Sequence, residues 1–178
     1  PERFVFGFEE SYGYLAGTHV RDKDAVVGSM LIVEMASWYK QKGMTLIDAL
    51  NAIYEKCGRY VESVANFQFE GAQGMKKMDE IMSTMRGNPP KEIASSPVSE
   101  VLDYQLSTAT SAAGVSTIDL PKSNVLEYRL ENGCTAIVRP SGTEPKIKLY
   151  LSLVGSGEAE IGARSEAIGS SMKQLLGV

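Results

Sequence analysis

Residues 126–153 read LEYRLENGCTAIVRPSGTEPKIKLYLSL, and the architecture of the chain follows from them. Apolar and polar residues alternate from 126 to 130 and again from 147 to 153, which is the period of a β-strand with one buried face. Asn132-Gly133 follows the first of these runs and predicts a type I′ turn. The stretch therefore predicts an antiparallel hairpin with a further strand beside it.

Helices are predicted on both sides of these strands along the chain. After the last strand, Ile161, Ile168 and Met172 recur at helical spacing, so we expect this helix to cover the sheet. Before the strands, four methionines form one helical stripe: Met75, Met78, Met82 and Met85. Such a stripe indicates either a flexible core face or a promiscuous binding groove.

The remaining connections complete the predicted C-terminal unit. Residues 59–70 are rich in β-branched and aromatic residues and predict extended chain. Residues 107–115 read STATSAAGV, a small and polar run that predicts a long loop. Residues from about 60 to 178 are therefore predicted to form an α+β unit of helix, antiparallel strands and helix.

The N-terminal third of the chain predicts two helices. Asp22 and Asp24 offer an N-cap for the first, whose apolar residues recur from 27 to 38, and we expect this helix to be buried in a core. Thr45 and Asp48 resemble a capping box that begins a second helix ending at Gly58. Residues 1–59 are thus expected to be an α/β fragment in front of the α+β unit.

The composition argues against several classes of function. The 178 residues carry 18 Lys and Arg against 22 Asp and Glu, whereas proteins that neutralise nucleic-acid phosphates are usually basic. The most apolar run, residues 25–39, is shorter than the ~20 residues that cross a bilayer. Cys57 and Cys134 lack the spacing of a zinc site or a disulfide framework. We therefore expect no nucleic acid and no membrane as partners, and a cytoplasmic location.

The most distinctive motif is RPSGTEP at residues 139–145, between two predicted strands. Arg139 can hold two phosphate oxygens with its planar guanidinium group, and the hydroxyls of Ser141 and Thr143 can donate hydrogen bonds to the same anion. Gly142 allows backbone N–H groups to approach it. The motif predicts a phosphomonoester site, although Pro, Ser and Gly would equally suit a wide turn without a ligand.

A second motif, GFEESYG at residues 7–13, follows an apolar run and is expected where a strand ends. Strand ends in α/β sheets often present ligand loops. Glu9 can accept, and Ser11 can donate, hydrogen bonds to neighbouring sugar hydroxyls. The alternative is that the acids of this segment are merely solvated in a turn.

The third segment, RDKD at residues 21–24, precedes the first predicted helix. Lys23 lies between two carboxylates that favour its ammonium form, which suits phosphate attraction or proton donation better than the role of a neutral base. The acids would also suit a helix start with no further function. His19 is the only histidine and has no recognisable Ser, Cys or metal partner, so we expect it at the surface or in packing.

In this order, FGFEESYGY, RDKDAV and RPSGTEPKIKLY resemble the C-terminal part of the α-D-phosphohexomutases, in particular the branch of bacterial phosphoglucomutases and phosphopentomutases. The resemblance covers the whole chain, with residues 1–59 similar to the end of the third domain and residues 60–178 similar to the fourth. For the fourth domain it implies a TATA-binding-protein-like fold, an antiparallel sheet with helices on one face. It also implies that the chain is cut from a longer enzyme, whose N-terminal domains are its partners.

The resemblance implies a role for each motif. Glu9 and Ser11 fall on the sugar-hydroxyl-binding motif, whereas the phosphate-binding loop comprises Arg139, Ser141, Gly142 and Thr143. Relatives move phosphate between the 1 and 6 positions of a hexose through a phosphoserine and a bound glucose 1,6-bisphosphate, assisted by Mg²⁺. The serine loop and the Asp-rich metal loop belong to earlier domains, so no metal ligand is expected here and the chain alone is expected to be inactive.

Many relatives have a His two residues after the Ser of the sugar motif, where this chain has Gly13, so a histidine base is not expected. The phosphoglucomutase-like branch instead has a lysine in the segment that matches residues 21–24, which makes Lys23 the candidate catalytic residue. The implied function is substrate recognition in a phosphoglucomutase that interconverts glucose 1-phosphate and glucose 6-phosphate. The alternatives are a phosphopentomutase or phosphomannomutase fragment, or a non-catalytic binding module.

Overall fold

The computed structural model describes residues 3–9, 12–71 and 73–178, and it divides into two compact units, Pro1–Cys57 and Gly58–Val178. In the first unit, strands β1 (Phe6–Phe8) and β2 (Tyr14–Ala16) form an antiparallel hairpin. Helices α1 (Ala25–Gln41) and α2 (Leu46–Cys57) follow it. Both helices were predicted from the spacing of their apolar residues.

The two helices begin directly after predicted capping residues, Asp24 for α1 and Thr45 for α2. The Asp24 carboxylate accepts hydrogen bonds from the backbone N–H groups of Val26 and Val27, at 3.0 and 3.1 Å. Thr45 and Asp48 form a reciprocal capping box, in which each side chain accepts the other residue's backbone N–H, at 2.8 and 3.1 Å. Each bond satisfies a donor that the first helical turn leaves unpaired, so the caps fix both helix starts.

The expectation that the first helix is buried is wrong for this structure, because no residue of α1 is buried. Within the described residues, α1 packs against β2 and α2. A helix with apolar residues around most of its circumference needs cover on several sides, and these two elements leave Met30 and Val33 each 67% exposed. No helix in the described part of the chain is long and apolar enough to cross a membrane.

The second unit is an antiparallel sheet with two helices. Its elements in chain order are β3 (Arg59–Gln68), α3 (Gly74–Gly87), β4 (Glu92–Ile93), β5 (Ser96–Asp103), β6 (Thr108–Ser111), β7 (Gly114–Thr117), β8 (Leu126–Leu130), β9 (Thr135–Pro140), β10 (Lys146–Gly155) and α4 (Glu158–Leu176). The strand order is β3-β10-β9-β8-β5-β6-β7, and β4 pairs with β5. Every neighbouring pair is antiparallel, including the β8–β9 and β9–β10 pairs that the sequence predicted.

One face of this sheet and both helices share the core. The buried residues alternate along β10, from Ile147 to Leu153, and they pack in one cluster with Ile168 and Met172 of α4. Three of the four stripe methionines are buried in the same cluster, namely Met78, Met82 and Met85. The methionine stripe is therefore a core face and not a binding groove.

Two local predictions about the second unit are wrong. Residues 107–115 do not form a long loop, because β6 and β7 pair there as a hairpin whose last pair is Ser111 with Gly114. Thr is β-branched and favours strands, whereas Ala and Gly are depleted there, so the composition of this run does not decide between a strand and a loop. The predicted type I′ turn at Asn132-Gly133 is instead a three-residue loop, in which Gly133 alone has a positive φ, of 83°.

The turn type expected at Asn132-Gly133 occurs at a different hairpin. Ala94 and Ser95 connect β4 to β5 with φ values of 51° and 62°, so both central residues are left-handed as a type I′ turn requires. Neither residue type is preferred in that conformation. Neither this turn nor strands β4 and β5 were predicted from the sequence.

Candidate functional site

The RPSGTEP motif, residues 139–145, is called the RPSGT loop below. It includes the end of β9 and the connection to β10, and the two strands hold it at both ends. Arg139 lies opposite Lys148 in the β9–β10 ladder, and Pro140 lies opposite Ile147. Beyond the ladder, the Ser141 N–H donates to the Lys146 carbonyl at 2.8 Å. The motif therefore lies between two strands, as predicted, and main-chain hydrogen bonds close the connection, which is shorter than the whole motif because β9 includes Arg139 and Pro140.

Ser141 organises the inside of the loop. Its hydroxyl oxygen accepts the backbone N–H groups of Thr143 and Glu144, at 3.4 and 3.3 Å. These bonds use the oxygen as an acceptor, so the hydroxyl proton can still be donated to a ligand. The side chain of Thr143 is exposed beside it. Two of the predicted phosphate contacts therefore share one small loop surface.

Gly142 lies exposed at the tip of this loop. A Cβ atom at Gly142 would meet no heavy atom within 4 Å, and the φ of the residue lies outside the left-handed region. The conformation of the loop therefore does not require glycine at this position. What the missing side chain provides is open space in front of the loop backbone, which an anion could occupy.

Arg139 presents an available guanidinium group. It is exposed, and it makes no hydrogen bond or ion pair with any other residue in the described part of the chain. Lys148 stands directly across the ladder from it and carries the same charge. Like charges in directly opposite positions destabilise a sheet, so this pair favours the binding of an anion.

Two further charges in the loop, those of Lys146 and Glu144, compensate each other. Lys146 contacts the Glu144 carboxylate at 2.7 Å, and its hydrogen bond and charge hold the pKa of Glu144 below the ordinary value. Glu144 is therefore ionised at neutral pH and compensates Lys146. The positive charge left for a ligand comes from Arg139 and Lys148, which the sheet brings side by side.

The predicted sugar motif lies at the tip of the β1–β2 hairpin. Glu9 directly follows β1, and its N–H donates to the Gly13 carbonyl at 2.8 Å, which closes the connection between the strands. Tyr12 adopts a φ of 65°, which is uncommon for a residue with a bulky side chain. Ser11, the second predicted sugar contact, lies outside the described residues.

The structure brings Lys23 to the sugar motif. Its Nζ atom lies 3.6 Å from a Glu9 carboxylate oxygen and 3.3 Å from Asp22. The hydrogen bond and charge of Asp22, followed by the charge of Glu9, raise the pKa of Lys23 above its ordinary value. The ammonium form is therefore favoured, as the sequence predicted, but the second carboxylate is Glu9 and not Asp24.

Asp24 is occupied elsewhere. Besides capping α1, its carboxylate lies 3.3 Å from Nε2 of His19, and these bonds hold the pKa of Asp24 below its ordinary value, the Val27 N–H being the main cause. His19 is exposed, as expected, and among the described residues its side chain contacts Asp24. The arrangement gives the hairpin tip an acceptor at Glu9 and a cation at Lys23.

Two residues near these motifs were not among the predicted site residues. Lys148 belongs to the polar face of a strand that the sequence identified, but only its pairing with Arg139 shows that it stands beside the loop. Gly13 is buried, and a Cβ atom there would lie 2.3 Å from Cδ of Lys23 and 3.0 Å from Glu9 Oε2. Both signals are spatial, so no spacing rule could have found them.

The described residues contain no group of three or more His, Cys, Asp or Glu side chains that could hold a metal ion. The donor set of the described residues therefore does not fit a metal centre by itself. The chemistry available in the two motifs is the binding of anions and hydroxyl groups.

Comparison with known families gives two matches. The family profile described as "Phosphoglucomutase/phosphomannomutase, alpha/beta/alpha domain III" matches residues 1–57. The profile described as "Phosphoglucomutase/phosphomannomutase, C-terminal domain" matches residues 40–160. Together they cover residues 1–160, which is the first unit and most of the second.

Individual proteins agree with these profiles. The chain is 46% identical over 154 residues to a phosphoglucomutase of Staphylococcus aureus strain MRSA252, and 45% identical to that of strain USA300. In each case the match covers 85% of this chain and 28% of the relative, so the chain spans little more than a quarter of these proteins. A crystal structure of Paramecium pp63/parafusin, a phosphoglucomutase, in an open form shares the fold, with a TM-score of 0.56 at 18% identity. That alignment covers 94% of this chain and 28% of the other.

Proposed function

Because this chain belongs to the phosphoglucomutase/phosphomannomutase family, we propose that it is the substrate-recognition part of a phosphoglucomutase that interconverts glucose 1-phosphate and glucose 6-phosphate. The observation that carries the proposal is the RPSGT loop, where Arg139, which has no side-chain partner among the described residues, stands beside Lys148 and an open loop tip. This arrangement suits the dianionic phosphate that does not react in a given half-reaction.

The remaining parts of the proposal concern the sugar and the reaction. Glu9 and Ser11 hold the sugar hydroxyls, and Lys23 contributes a cation as a phosphate contact or proton donor. The family resemblance implies that the nucleophilic serine and the Mg²⁺ ion come from the other domains of the same enzyme. The phosphate passes through a phosphoserine and glucose 1,6-bisphosphate, and the cytoplasm is the proposed location.

The structural assignment that goes with this function is also a proposal. Residues 1–59 form the end of the third phosphohexomutase domain, and residues 60–178 form the fourth, with a TATA-binding-protein-like fold. An antiparallel sheet that carries its helices on the core face supports the second assignment.

The proposal is tested by comparing two arginines in the full-length enzyme. Arg139→Ala removes the available guanidinium group, and we expect kcat/KM for glucose 1-phosphate to fall about ten- to hundred-fold, the value of a charge-assisted bidentate contact. Arg129→Ala is the matched control, because Arg129 is already bonded to Glu127 and Glu100, each at 2.7 Å. We expect it to affect stability far more than kcat/KM.

Equal losses of kcat/KM in the two variants would contradict the assignment of the loop. Assays with mannose 1-phosphate and ribose 1-phosphate distinguish a phosphomannomutase or phosphopentomutase from the proposed activity. The isolated 178-residue chain should bind hexose phosphate without converting it, since phosphoryl transfer needs a nucleophile that this part of the enzyme does not provide.

A further inference from the structure

At the tip of the β1–β2 hairpin, the Lys23 side chain occupies the volume that a side chain at position 13 would need. A Cβ atom at Gly13 would lie 2.3 Å from Cδ and 2.8 Å from Cγ of Lys23, well inside van der Waals contact. The space beside the Gly13 backbone is therefore filled by the aliphatic stem of Lys23. At the end of this stem, the ammonium nitrogen lies 3.6 Å from a carboxylate oxygen of Glu9.

The backbone conformation does not explain the glycine. The φ of Gly13 lies outside the left-handed region, so a residue with a side chain could adopt it without strain. Gly13 is buried, whereas Lys23 is half exposed, which is the pattern of a long side chain lying over a bare stretch of backbone. Close approach is thus the physical reason for glycine at this position.

The backbone around Lys23 is held where this approach is required. The Asp24 N–H donates to the Tyr14 carbonyl at 2.8 Å, and the Lys23 N–H donates to the Asp22 carboxylate at 2.7 Å. Gly13 in turn accepts the Glu9 N–H. Since both backbones are tied, a side chain at position 13 can be accommodated only by movement of the Lys23 side chain.

We propose that Gly13 is a positioning residue for Lys23: the absence of a side chain at position 13 provides the groove that holds the lysine stem and keeps its ammonium group beside Glu9. Any side chain at this position displaces Lys23. The displaced atoms belong to a flexible side chain, so the fold accepts the substitution while the hairpin tip loses its cation. The consequence for sugar phosphates rests on the proposed function, whereas the positioning itself does not.

The first experiment uses NMR on the 178-residue chain and its Gly13→Ala variant. In the wild type we expect NOEs that link Hγ and Hδ of Lys23 to Hα of Gly13. In the variant we expect the NOEs from Lys23 to Hα of residue 13 to be lost. The far-UV CD spectrum of the variant should be unchanged. Gly7→Ala is the matched control, because it adds the same methyl group to the same hairpin at 3.4 Å from the Phe4 ring, an ordinary contact. Retention of the Lys23 NOEs in Gly13→Ala would overturn the proposal.

The second experiment is a double-mutant cycle in the full-length enzyme. Gly13→Ala alone should lower kcat/KM for glucose 1-phosphate about ten-fold, the order of one charge-assisted contact, and should change nothing further in a Lys23→Ala background. A loss of the same size in both backgrounds would overturn the positioning role, because it would not act through Lys23. If the NOEs behave as expected but Lys23→Ala retains full activity, the positioning stands and the proposed role of Lys23 fails.

Discussion

Gly142 and Arg139 illustrate how single residues prepare the RPSGT loop for an anion. Arg139 has no partner among the described residues, and Gly142 faces open space. A planar guanidinium group without a protein partner remains available to bind two oxygens of an anion. At this scale the loop looks preorganised, because Ser141 and the main chain already fix its shape.

We expect Gly142→Ala to weaken phosphate binding without destabilising the protein. The added methyl group meets no atom of the chain and the φ of the residue tolerates it, but the methyl group occupies space in front of the loop. KM for glucose 1-phosphate in the full-length enzyme should rise about three- to ten-fold, an effect of roughly 1 kcal/mol as for one perturbed hydrogen bond.

Gly169→Ala in α4 is the control for this substitution, since it also adds a methyl group in open space but far along the chain from the loop. Thermal unfolding should show both variants at least as stable as the wild type. An unchanged KM in Gly142→Ala would mean that the open space at the loop tip does not receive the phosphate.

At the level of elements, the start of α3 is packed against the end of the RPSGT loop. A Cβ atom at Gly74 would lie 2.6 Å from the Phe69 carbonyl oxygen and 2.9 Å from Cβ of Pro145. The Phe69 N–H in turn donates to the Pro145 carbonyl at 2.8 Å. The helix, the end of β3 and the loop are thus in direct contact at one glycine.

We therefore expect Gly74→Ala to destabilise the protein by about 1–3 kcal/mol, the usual cost of overpacking a site whose neighbours are backbone. Gly87→Ala, at the other end of the same helix, meets no atom within 4 Å and should be neutral or slightly stabilising. Urea unfolding followed by circular dichroism measures both. If Gly74→Ala were as stable as Gly87→Ala, the contact between α3 and the loop would be looser than the structure shows.

The capping box of α2 makes the stability of that helix depend on pH. Hydrogen bonds from the Thr45 hydroxyl and N–H hold the pKa of Asp48 below its ordinary value of 3.8. Because the folded pKa is lowered, the ionised carboxylate stabilises the helix above pH 3.8, and this contribution is lost as the pH falls through the lowered folded value.

A carbon-detected NMR titration of the Asp48 carboxylate should give a midpoint below 3.8, and the helicity of α2 should decrease over the same range. Asp48→Asn should remove this part of the acid dependence. A midpoint at or above the ordinary value would contradict the capping box.

The elements differ in how far local sequence predicted them. Helices α1 and α2 were predicted with their caps, because caps and helical spacing act over a few residues. The β6–β7 hairpin and the turn at Ala94-Ser95 were missed, since their residues have no local preference for these conformations. There the sheet, by pairing with β5, overrides local propensity.

At the scale of the whole molecule, the core is concentrated in the second unit. Every residue of the buried cluster lies between Phe69 and Leu176. Among the described residues of the first unit, Ala49 is the one buried hydrophobic residue. An apolar groove in the first unit is lined by Phe6, Phe8, Tyr14 and Met35 and is open to solvent. Buried apolar area dominates folding stability, so the two units differ in their capacity to fold alone.

We expect residues 58–178 to fold cooperatively when expressed without the first unit. Near-UV circular dichroism during heating measures this, with a single sharp transition expected for the larger fragment. The intact 178-residue chain serves as the reference and should show the same main transition. A non-cooperative profile for residues 58–178 would show that the first unit is needed for their fold.

The sequence by itself determined the antiparallel β8–β10 region, the two capped helices and the residue types able to bind phosphate and sugar hydroxyls. These depend on alternation, helical spacing and side-chain chemistry, which are properties of neighbouring residues. Only the tertiary structure decided that Lys148 stands beside Arg139, that Lys23 reaches Glu9 across Gly13, and that α1 carries no buried residue. These facts depend on which distant segments come into contact, and such contacts are set by the packing of the whole fold, because no preference of a short segment encodes them.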